Sequence, residues 1–571
     1  MTTHVQGEGE VLSSVDWQTR WQALRGTFTR ALMAVNPPDT VARWQYVAYD
    51  QLNESLGLMG TEPPESLGII LIESTWKPTL RPYHKHKLAL LLTSQRHFAL
   101  EQAARGVHVR YLFSKQPPQV VMEAECRAKG PIAMVRPAER ELREHLRPLF
   151  ETNQLVELEH KGWLTTADDF QRSMRGKKTW KMDSFYRYVR TKYEVLLTVE
   201  GKPEGGKWSH DADNRRTWMG EPEAPTPPTF EVDDVTHEVV ALVETQYRGH
   251  PGAITANRIP ATLADVHSYW EWVKRYCMYH FGPYEDAMHH EERQLFHSRM
   301  SAVMNLGRIL PADVLTDVIA QHLPLNSKEG FIRQLLGWRE YVRHIHEATD
   351  GFRQLPAHAS DQLRGQGGPH VNMLGSEESL PPVYWGKTSG LFCLDHAVTE
   401  VIEDAHSHHI NRLMVLSNWG SLLDVSPREL TDWFWVMFED AYDWVVEPNV
   451  LGMGTYALGT LMMTKPYVSG SAYIHKMSSY CDQCEFNPKR DCPMTNLYWR
   501  YLNKHGGHFA RNQRMSLVMA SLRRRGEEKH RHDELVFQTI RLALSHGEKL
   551  SPARWAEMLE EAQCSADSWS G

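Results

Sequence analysis

The sharpest chemical signal in the chain is a cysteine block, Tyr480-Cys481-Asp482-Gln483-Cys484 followed by Cys492-Pro493. A C-x2-C pair brings two thiolates within reach of one metal centre, and a third cysteine follows after seven intervening residues. A four-sulfur site needs one more ligand. Cys393 and Cys277 stand in helical sequence, Cys126 in the N-terminal part and Cys564 in the tail, and spacing alone does not choose among them. A structural zinc and an iron–sulfur cluster both suit this spacing. The trailing Cys-Pro favours the cluster, because that pair recurs at cluster ligands.

A second constellation runs from Glu403 to Arg412. Glu403 with His406 spells the E-x-x-H of a di-iron bundle, which requires a second inward-facing copy. Glu157 with His160 ends a strand and Glu527 with His530 sits in a charge run, so neither supplies it. His408 and His409 point about 100° apart on a helix, so only one can look squarely into a pocket. Arg412 lies one turn away and can share it. Gly452-Met453-Gly454-Thr455-Tyr456-Ala457 matches G-x-G-x-x-A. It follows a Trp-rich helical stretch, which removes the dinucleotide reading and leaves a helix-breaking turn. Trp385, Trp433, Tyr442, Tyr467 and Tyr473 belong to an aromatic-rich stretch. Such side chains serve one-electron chemistry as relay stations, although ordinary core packing uses most of them.

These residues must be held by two kinds of architecture. Short apolar or alternating runs at 46–49, 69–72, 107–113, 132–135 and 155–158 are separated by helical stretches, notably 84–105 and 139–150. That alternation predicts a parallel sheet with covering helices. The expected organisation is an added segment over 1–43 with one helix at 15–35, and an α/β domain over 44–160. A polar linker over 161–238, a large all-helical domain over 239–545 and a tail over 546–571 follow.

The 571 residues carry 63 Lys+Arg against 71 Asp+Glu, a net charge of −8, which excludes a generally basic nucleic-acid coat. DNA contact would need a local patch; Arg172, Arg175, Lys177, Lys178, Lys181, Arg187 and Arg190 with Arg511 and Arg514 are the candidates. No apolar run is long enough to span a membrane. Seven cysteines behind a polar start predict a reducing, cytoplasmic setting.

The ordered motifs resemble the prokaryotic iron–sulfur cryptochrome/photolyase family, whose repair members are bacterial (6-4) photolyases. They are Tyr49-Asp50-Gln51-Leu52, His84-Lys85-His86-Lys87, and Gly205-Gly206-Lys207-Trp208 with Asp211 and Asn214-Arg215. Asp286-Ala287-Met288, His297-Ser298 and the run from Glu329 to Tyr341 come next. His408-His409 with Arg412, Pro448-Asn449 with Gly452-Met453, Thr464-Lys465-Pro466-Tyr467 and the cysteine block complete the set. The match extends roughly from Trp44 to Arg525.

The resemblance implies a Rossmann-like antenna domain and a helical domain holding FAD and a [4Fe-4S] cluster. Its cluster ligands fall on Cys393, Cys481, Cys484 and Cys492, which selects Cys393 over Cys277. Its catalytic groups fall on His408, His409, Tyr467 and Tyr473, with His409 as proton donor to the lesion. The flavin-side residues fall on Arg412, Asp440, Asn449, Gly452, Met453 and Ser298, the lesion wall on Gln334 and Trp338, and the electron relay on Trp385, Trp433 and Tyr442. A 6,7-dimethyl-8-ribityllumazine antenna is a further implied cofactor, although Ile72-Glu73-Ser74-Thr75-Trp76-Lys77 departs from the family's pocket sequence. The loop between Cys484 and Cys492 is shorter than the family's, Ala457-Leu458-Gly459-Thr460 lacks an expected acid, and Phe434 stands where a tyrosine is expected. The implied partner is UV-damaged duplex DNA, bound by a monomer associated with the nucleoid. Two other readings compete: a blue-light sensory cryptochrome with the same cofactors and no repair activity, and a structural zinc protein.

Overall fold

The apolar runs form five short strands in the computed structural model, which describes residues 14–175, 179–356 and 370–569. They are β1 (Arg43–Tyr46), β2 (Leu67–Ser74), β3 (His108–Ser114), β4 (Ile132–Val135) and β5 (Leu155–Leu158). All pair in parallel in the order β3-β2-β1-β4-β5, with Trp44 opposite Gly68, Ile70 opposite Arg110 and Ile132 opposite Leu155. Parallel neighbours require crossovers, and helices supply them. Ile69 and Leu71 of β2 face one apolar cluster with Phe28 and Phe98, while Ile70 and Ile72 face another with Met122 and Leu146. This is the alternation expected of a strand buried on both faces.

The helices discussed below are labelled in chain order. They are α1 (Ser14–Leu24), α2 (Thr27–Val35), α3 (Lys85–Ala104), α4 (Pro118–Lys129), α5 (Arg140–Glu151), α6 (Ala167–Met174) and α7 (Met182–Lys192), then α8 (Asp234–Gln246), α9 (Leu325–Ile332), α10 (Phe392–Asp404), α11 (Pro427–Met437) and α12 (Met494–Lys504). Helix α3 is buried along almost its whole length because it is wedged between the sheet and the helical region. Its Lys87 Nζ donates to the carbonyls of Trp435 and Ala441, tying the two parts together.

The helical region is one large apolar core around Trp419, Trp433 and Tyr384. Four of its helices widen into π-turns, at Val273–Cys277, Arg333–Arg339, Asn411–Ser417 and Glu447–Gly454. Such widenings are frequently found at functional sites. Three of them carry predicted site residues. Among the described residues no helix is long and apolar enough to cross a membrane.

Three local expectations differ from the structure. The single N-terminal helix is broken in two at Gly26, whose φ of 85° a helix cannot continue. The first strand ends at Tyr46, before the predicted Tyr49. The polar stretch read as linker contains α6 and α7, because a Thr166–Asp169 capping box starts one helix and Phe170, Phe185 and Tyr186 bury its and its neighbour's apolar sides.

Candidate active site

The cysteines come together from three elements. Cys393 in the first turn of α10, Cys481 and Cys484 in the turn after Tyr480, and Cys492 just before α12 line one small cavity with Trp419 and Met494. The short loop between Cys484 and Cys492 is compact because the Asn487 carbonyl accepts from the backbone N–H of Arg490, Asp491 and Cys492. Burial, then the proximity of Cys492, Cys484 and Cys481, pushes the Cys393 thiol up, and Trp419 Nε1 donates to its Sγ at 3.4 Å. Burial also raises Cys481 to about 11 and Cys492 to about 12. Cys277 lies elsewhere, in the π-turn ending at that residue, and all seven cysteines are free of disulfides. Among the described residues no three His, Cys, Asp or Glu side chains are grouped as one metal ion requires. The four thiols share one small cavity.

The histidines form a second, buried group. His408 is almost completely enclosed and its ring stacks on His297, centroids 4.6 Å apart and 3° from parallel. His297 Nε2 and His408 Nδ1 are buried with no hydrogen-bond partner in the protein. Burial first, and then neighbouring positive groups, hold both rings well below the usual histidine range, so both are neutral. His409 differs. Its side chain is 44% exposed and its Nε2 lies 3.7 Å from Asp286 Oδ1. Glu403, the other half of the E-x-x-H pair, instead meets Arg293 at the surface at 2.6 Å, so it does not converge with the buried His406.

Arg412 sits beneath these rings. Its Nε donates to the Ser407 carbonyl at 2.6 Å and its Nη1 to Asp440 Oδ1 at 2.9 Å. Burial would raise the Asp440 carboxyl, but Arg412 and the Ser301 hydroxyl hold it below its ordinary value. Asn305 donates to the Asp440 carbonyl, so this acid is fixed from both ends. The π-turn at 447–454 places Asn449, Gly452 and Met453 on one segment, with Asn449 Nδ2 bonded to the Val445 carbonyl. A side chain at position 452 would stand 2.5 Å from Met462 Sδ, so the methionine would have to move to admit it. Ser298, half-buried, accepts from the Met300 N–H at 3.4 Å.

A polar rim surrounds the exposed edge of His409. Gln334 Nε2 donates to Glu285 at 2.5 Å, and Arg333 reaches Asp211 at 3.1 Å and Glu285 at 3.5 Å. Arg215 bridges Asp211 and Asp286. Tyr467 and Tyr473 are half-buried; burial raises both hydroxyls, and the charges of Asp211 and Arg215 reach both. Trp338 packs edge-on against Tyr341 at 6.0 Å.

The deoxyribodipyrimidine photo-lyase-related protein model matches residues 45–259. A curated relative, the (6-4) photolyase of Agrobacterium fabrum (strain C58), is 30% identical over 505 residues, spanning 85% of this chain and 96% of that protein. The chain belongs to this photolyase and cryptochrome family. The crystal structure of a bacterial class III photolyase from Agrobacterium tumefaciens shares the fold, with a TM-score of 0.51 at 12% identity over 93% of this chain and 99% of that one. Uncharacterized protein R853 of Acanthamoeba polyphaga mimivirus is 43% identical over 125 residues, 21% of this chain and 84% of that protein.

Within this family member the three relay candidates have different surroundings. Trp433 is buried, donates to the Tyr384 carbonyl at 2.8 Å and touches the Tyr384 and Phe438 rings at 5.1 and 5.9 Å. Phe438 lies under the Arg412 guanidinium, and Trp385, next to Tyr384, is 49% exposed. Tyr442 stacks instead on Tyr49 of the sheet domain at 6.3 Å. Among the basic candidates, Arg190 is buried and spends its guanidinium on the carbonyls of Val195, Leu196 and Trp208, so it is a structural residue. Arg172 and Arg187 pair with Asp168 and Asp183 one turn away. Arg175, Lys181, Arg511 and Arg514 are exposed, with Arg514 near enough to act on Tyr467; Lys177 and Lys178 lie outside the described residues.

Two groups of the site carry no role in the sequence reading. His297 and Asp286 stand among the family motifs, but neither residue type nor spacing shows that one stacks on His408 and the other pairs with His409. The only signal was their place in those motifs.

Proposed function

We propose that this chain is a light-driven DNA repair enzyme acting on the (6-4) pyrimidine–pyrimidone photoproduct of UV-damaged duplex DNA. The observation that carries the proposal is the contrast within one histidine group. His409 is solvent-accessible beside an acid, while His408 and His297 are buried, stacked and neutral. A proton donor to a flipped-out base needs the first environment, and a dry pocket wall needs the second.

Arg412, Asp440, Asn449, Gly452, Met453 and Ser298 would hold FAD; buried ring nitrogens without protein partners suit a polar bound group at this place. Cys393, Cys481, Cys484 and Cys492 would hold a [4Fe-4S] cluster, since their side chains line one small cavity. FAD, when bound, supplies the light-driven electron for the lesion. The protein's own residues do the rest. Tyr467, Tyr473 and Trp338 offer ring faces to a base taken out of the duplex. Gln334, held by Glu285, presents an amide to its polar edge. His409 gives a proton to the hydroxyl that moves between rings, and Asp286, 3.7 Å from its Nε2, orients the ring. Trp433 and Trp385 offer a path for one electron between the buried site and solvent. Exposed Arg511 and Arg514, the latter near Tyr467, supply local positive charge for the phosphates.

The test is a purified sample illuminated with blue light together with an oligonucleotide carrying one (6-4) lesion. The expected result is restoration of the two thymines by protein that shows flavin and cluster absorption. A fully reduced sample that restores nothing overturns the repair reading and leaves the sensory one.

A further inference from the structure

A cavity of about 880 Å³ lies at the carboxyl ends of β1 to β4, lined by Tyr49, Ser74, Ser114 and Glu139 among others. That end of an open parallel sheet is where ligands bind in doubly wound folds. The N-terminal helices reach over it: Trp21 of α1, Arg25 and Gly26 of the turn that follows, and Thr29 of α2 are part of its lining. This segment precedes the stretch matched by the family model, which begins at residue 45.

The two helices are fastened by a buried chain of charge. Helix α2 has no side-chain cap of its own. Glu238 on α8, buried, supplies one by accepting from the backbone N–H of Gly26 at 2.6 Å and of Phe28 at 2.8 Å. Arg96 of α3 pairs with Glu238 at 3.1 Å and with Glu73 of β2 through two hydrogen bonds at 2.8 and 2.9 Å. Glu73, Arg96 and Glu238 all line the cavity. Further out, Asn36 bonds both ways to the backbone of Val109 on the edge strand β3. Thr245 Oγ1 donates to the Trp17 carbonyl of α1 at 3.3 Å.

We propose that α1 and α2 are the lid of a binding site for a fused-ring heteroaromatic chromophore bearing a hydroxylated chain. Trp21 and Arg25 are its contacts from the lid, and Glu238–Arg96–Glu73 is the latch. The rings of Trp21, Trp76, Tyr49 and Phe113 suit a flat conjugated system, and buried Gln95, Glu73 and Arg96 suit a chain of hydroxyls. The latch explains how a ligand enters a site roofed by its own chain: α2 is held over the cavity through Glu238, so loosening that carboxylate frees the roof while the sheet stays in place.

The inference rests on the light-driven reading for its ligand class, but on no residue of the His409 site. It is tested with the full-length holoprotein in the dark, titrated with 6,7-dimethyl-8-ribityllumazine and followed by ligand fluorescence anisotropy. Trp21→Ala and Arg25→Ala are each expected to weaken binding, the first by about tenfold. Glu238→Gln is expected to raise the dissociation rate several-fold. Met33→Ser, on an exposed face of α2, is the control and should bind as the unaltered chain does. Equal affinity in the Trp21→Ala and Arg25→Ala proteins, with circular dichroism and melting unchanged, overturns the lid. An unaltered chain that binds no lumazine overturns it too. Lumazine binding that depends on Trp21 in a protein that restores no (6-4) lesion keeps the lid and removes the repair reading.

Discussion

Two regions of this protein treat buried polar groups in opposite ways. Around His409 the buried rings of His297 and His408 are left without protein partners and are neutral. Around the sheet cavity the buried charges are joined in chains, Glu73 to Arg96 to Glu238, and Lys77 to Glu139 and Glu141. An unpaired buried polar group costs roughly 1–3 kcal/mol, so a fold keeps one where something else is meant to meet it. Paired charges need no such partner; they fix geometry. The histidine group therefore leaves polar atoms for a bound molecule to meet, while the walls of the sheet cavity are fixed by paired charge.

The comparison breaks most severely at the helical site. His409→Ala is expected to lower blue-light repair of a (6-4) oligonucleotide by about 10²–10⁴-fold, the range of a lost general acid. Flavin absorption should be retained, since Arg412, Asp440 and His408 are untouched. Full repair by this protein would remove His409 from its role. Cys393→Ala is expected to strip iron from the purified protein, read by metal analysis and loss of broad visible absorption, because Cys393 alone reaches the cavity from α10. Cys277→Ala, from a separate buried place, should leave iron content unchanged; the opposite pattern would exchange their assignments.

How much of this was legible in the sequence depended on the range of the interactions. The parallel sheet followed from short runs such as Ile69 to Ile72, whose periodicity is local, and four strands begin and end within a residue or two of expectation. The cysteine block showed three neighbours by spacing. Its fourth member could be chosen only by resemblance, because Cys393 arrives from a helix far away in the chain. Arg190 looked like part of a basic patch because its sequence neighbours are basic; only the folded carbonyls of Val195, Leu196 and Trp208 show it is spent inside. The helix break at Gly26 was missed because Trp17, Trp21, Leu24, Phe28 and Leu32 keep helical spacing across it. Neither the stack of His297 on His408 nor the reach of Glu238 to Gly26 has any local trace.

At the sheet cavity the largest expected effect is on stability. Arg96→Met removes the shared cation from between Glu73 and Glu238, leaving two buried carboxylates uncompensated. Breaking a buried pair in this way costs about 3–5 kcal/mol. Chemical denaturation should show that loss. The double variant Glu73→Gln with Arg96→Met should recover part of it, because one of the stranded charges is gone. A loss under about 1 kcal/mol, the range of an exposed pair, would mean that this ion chain does not set the shape.

Asp50 is the exception within the sheet region, and it gives the smallest and most specific effect. It is buried, its carboxylate oxygens make no hydrogen bond of good geometry, and burial, with Asp443 adding, raises its pKa to about 6 against the pull of Lys77 and the nearby backbone of Asp50 and Ala138. A carboxyl whose folded value exceeds its unfolded value of about 3.9 favours the fold while protonated. That contribution is complete below about pH 4 and disappears as the pH rises through about 6. At pH 8 the buried charge therefore costs the native state up to about 3 kcal/mol, since each tenfold change in proton affinity is worth roughly 1.4 kcal/mol. Asp50→Asn keeps the shape and removes the charge. The melting temperature of the variant should match the unaltered protein at pH 4 and exceed it at pH 8, with the two curves separating between these values. Parallel curves across that range would show that Asp50 has a partner when folded, and the sheet region would then hold no exception to its rule of paired charge.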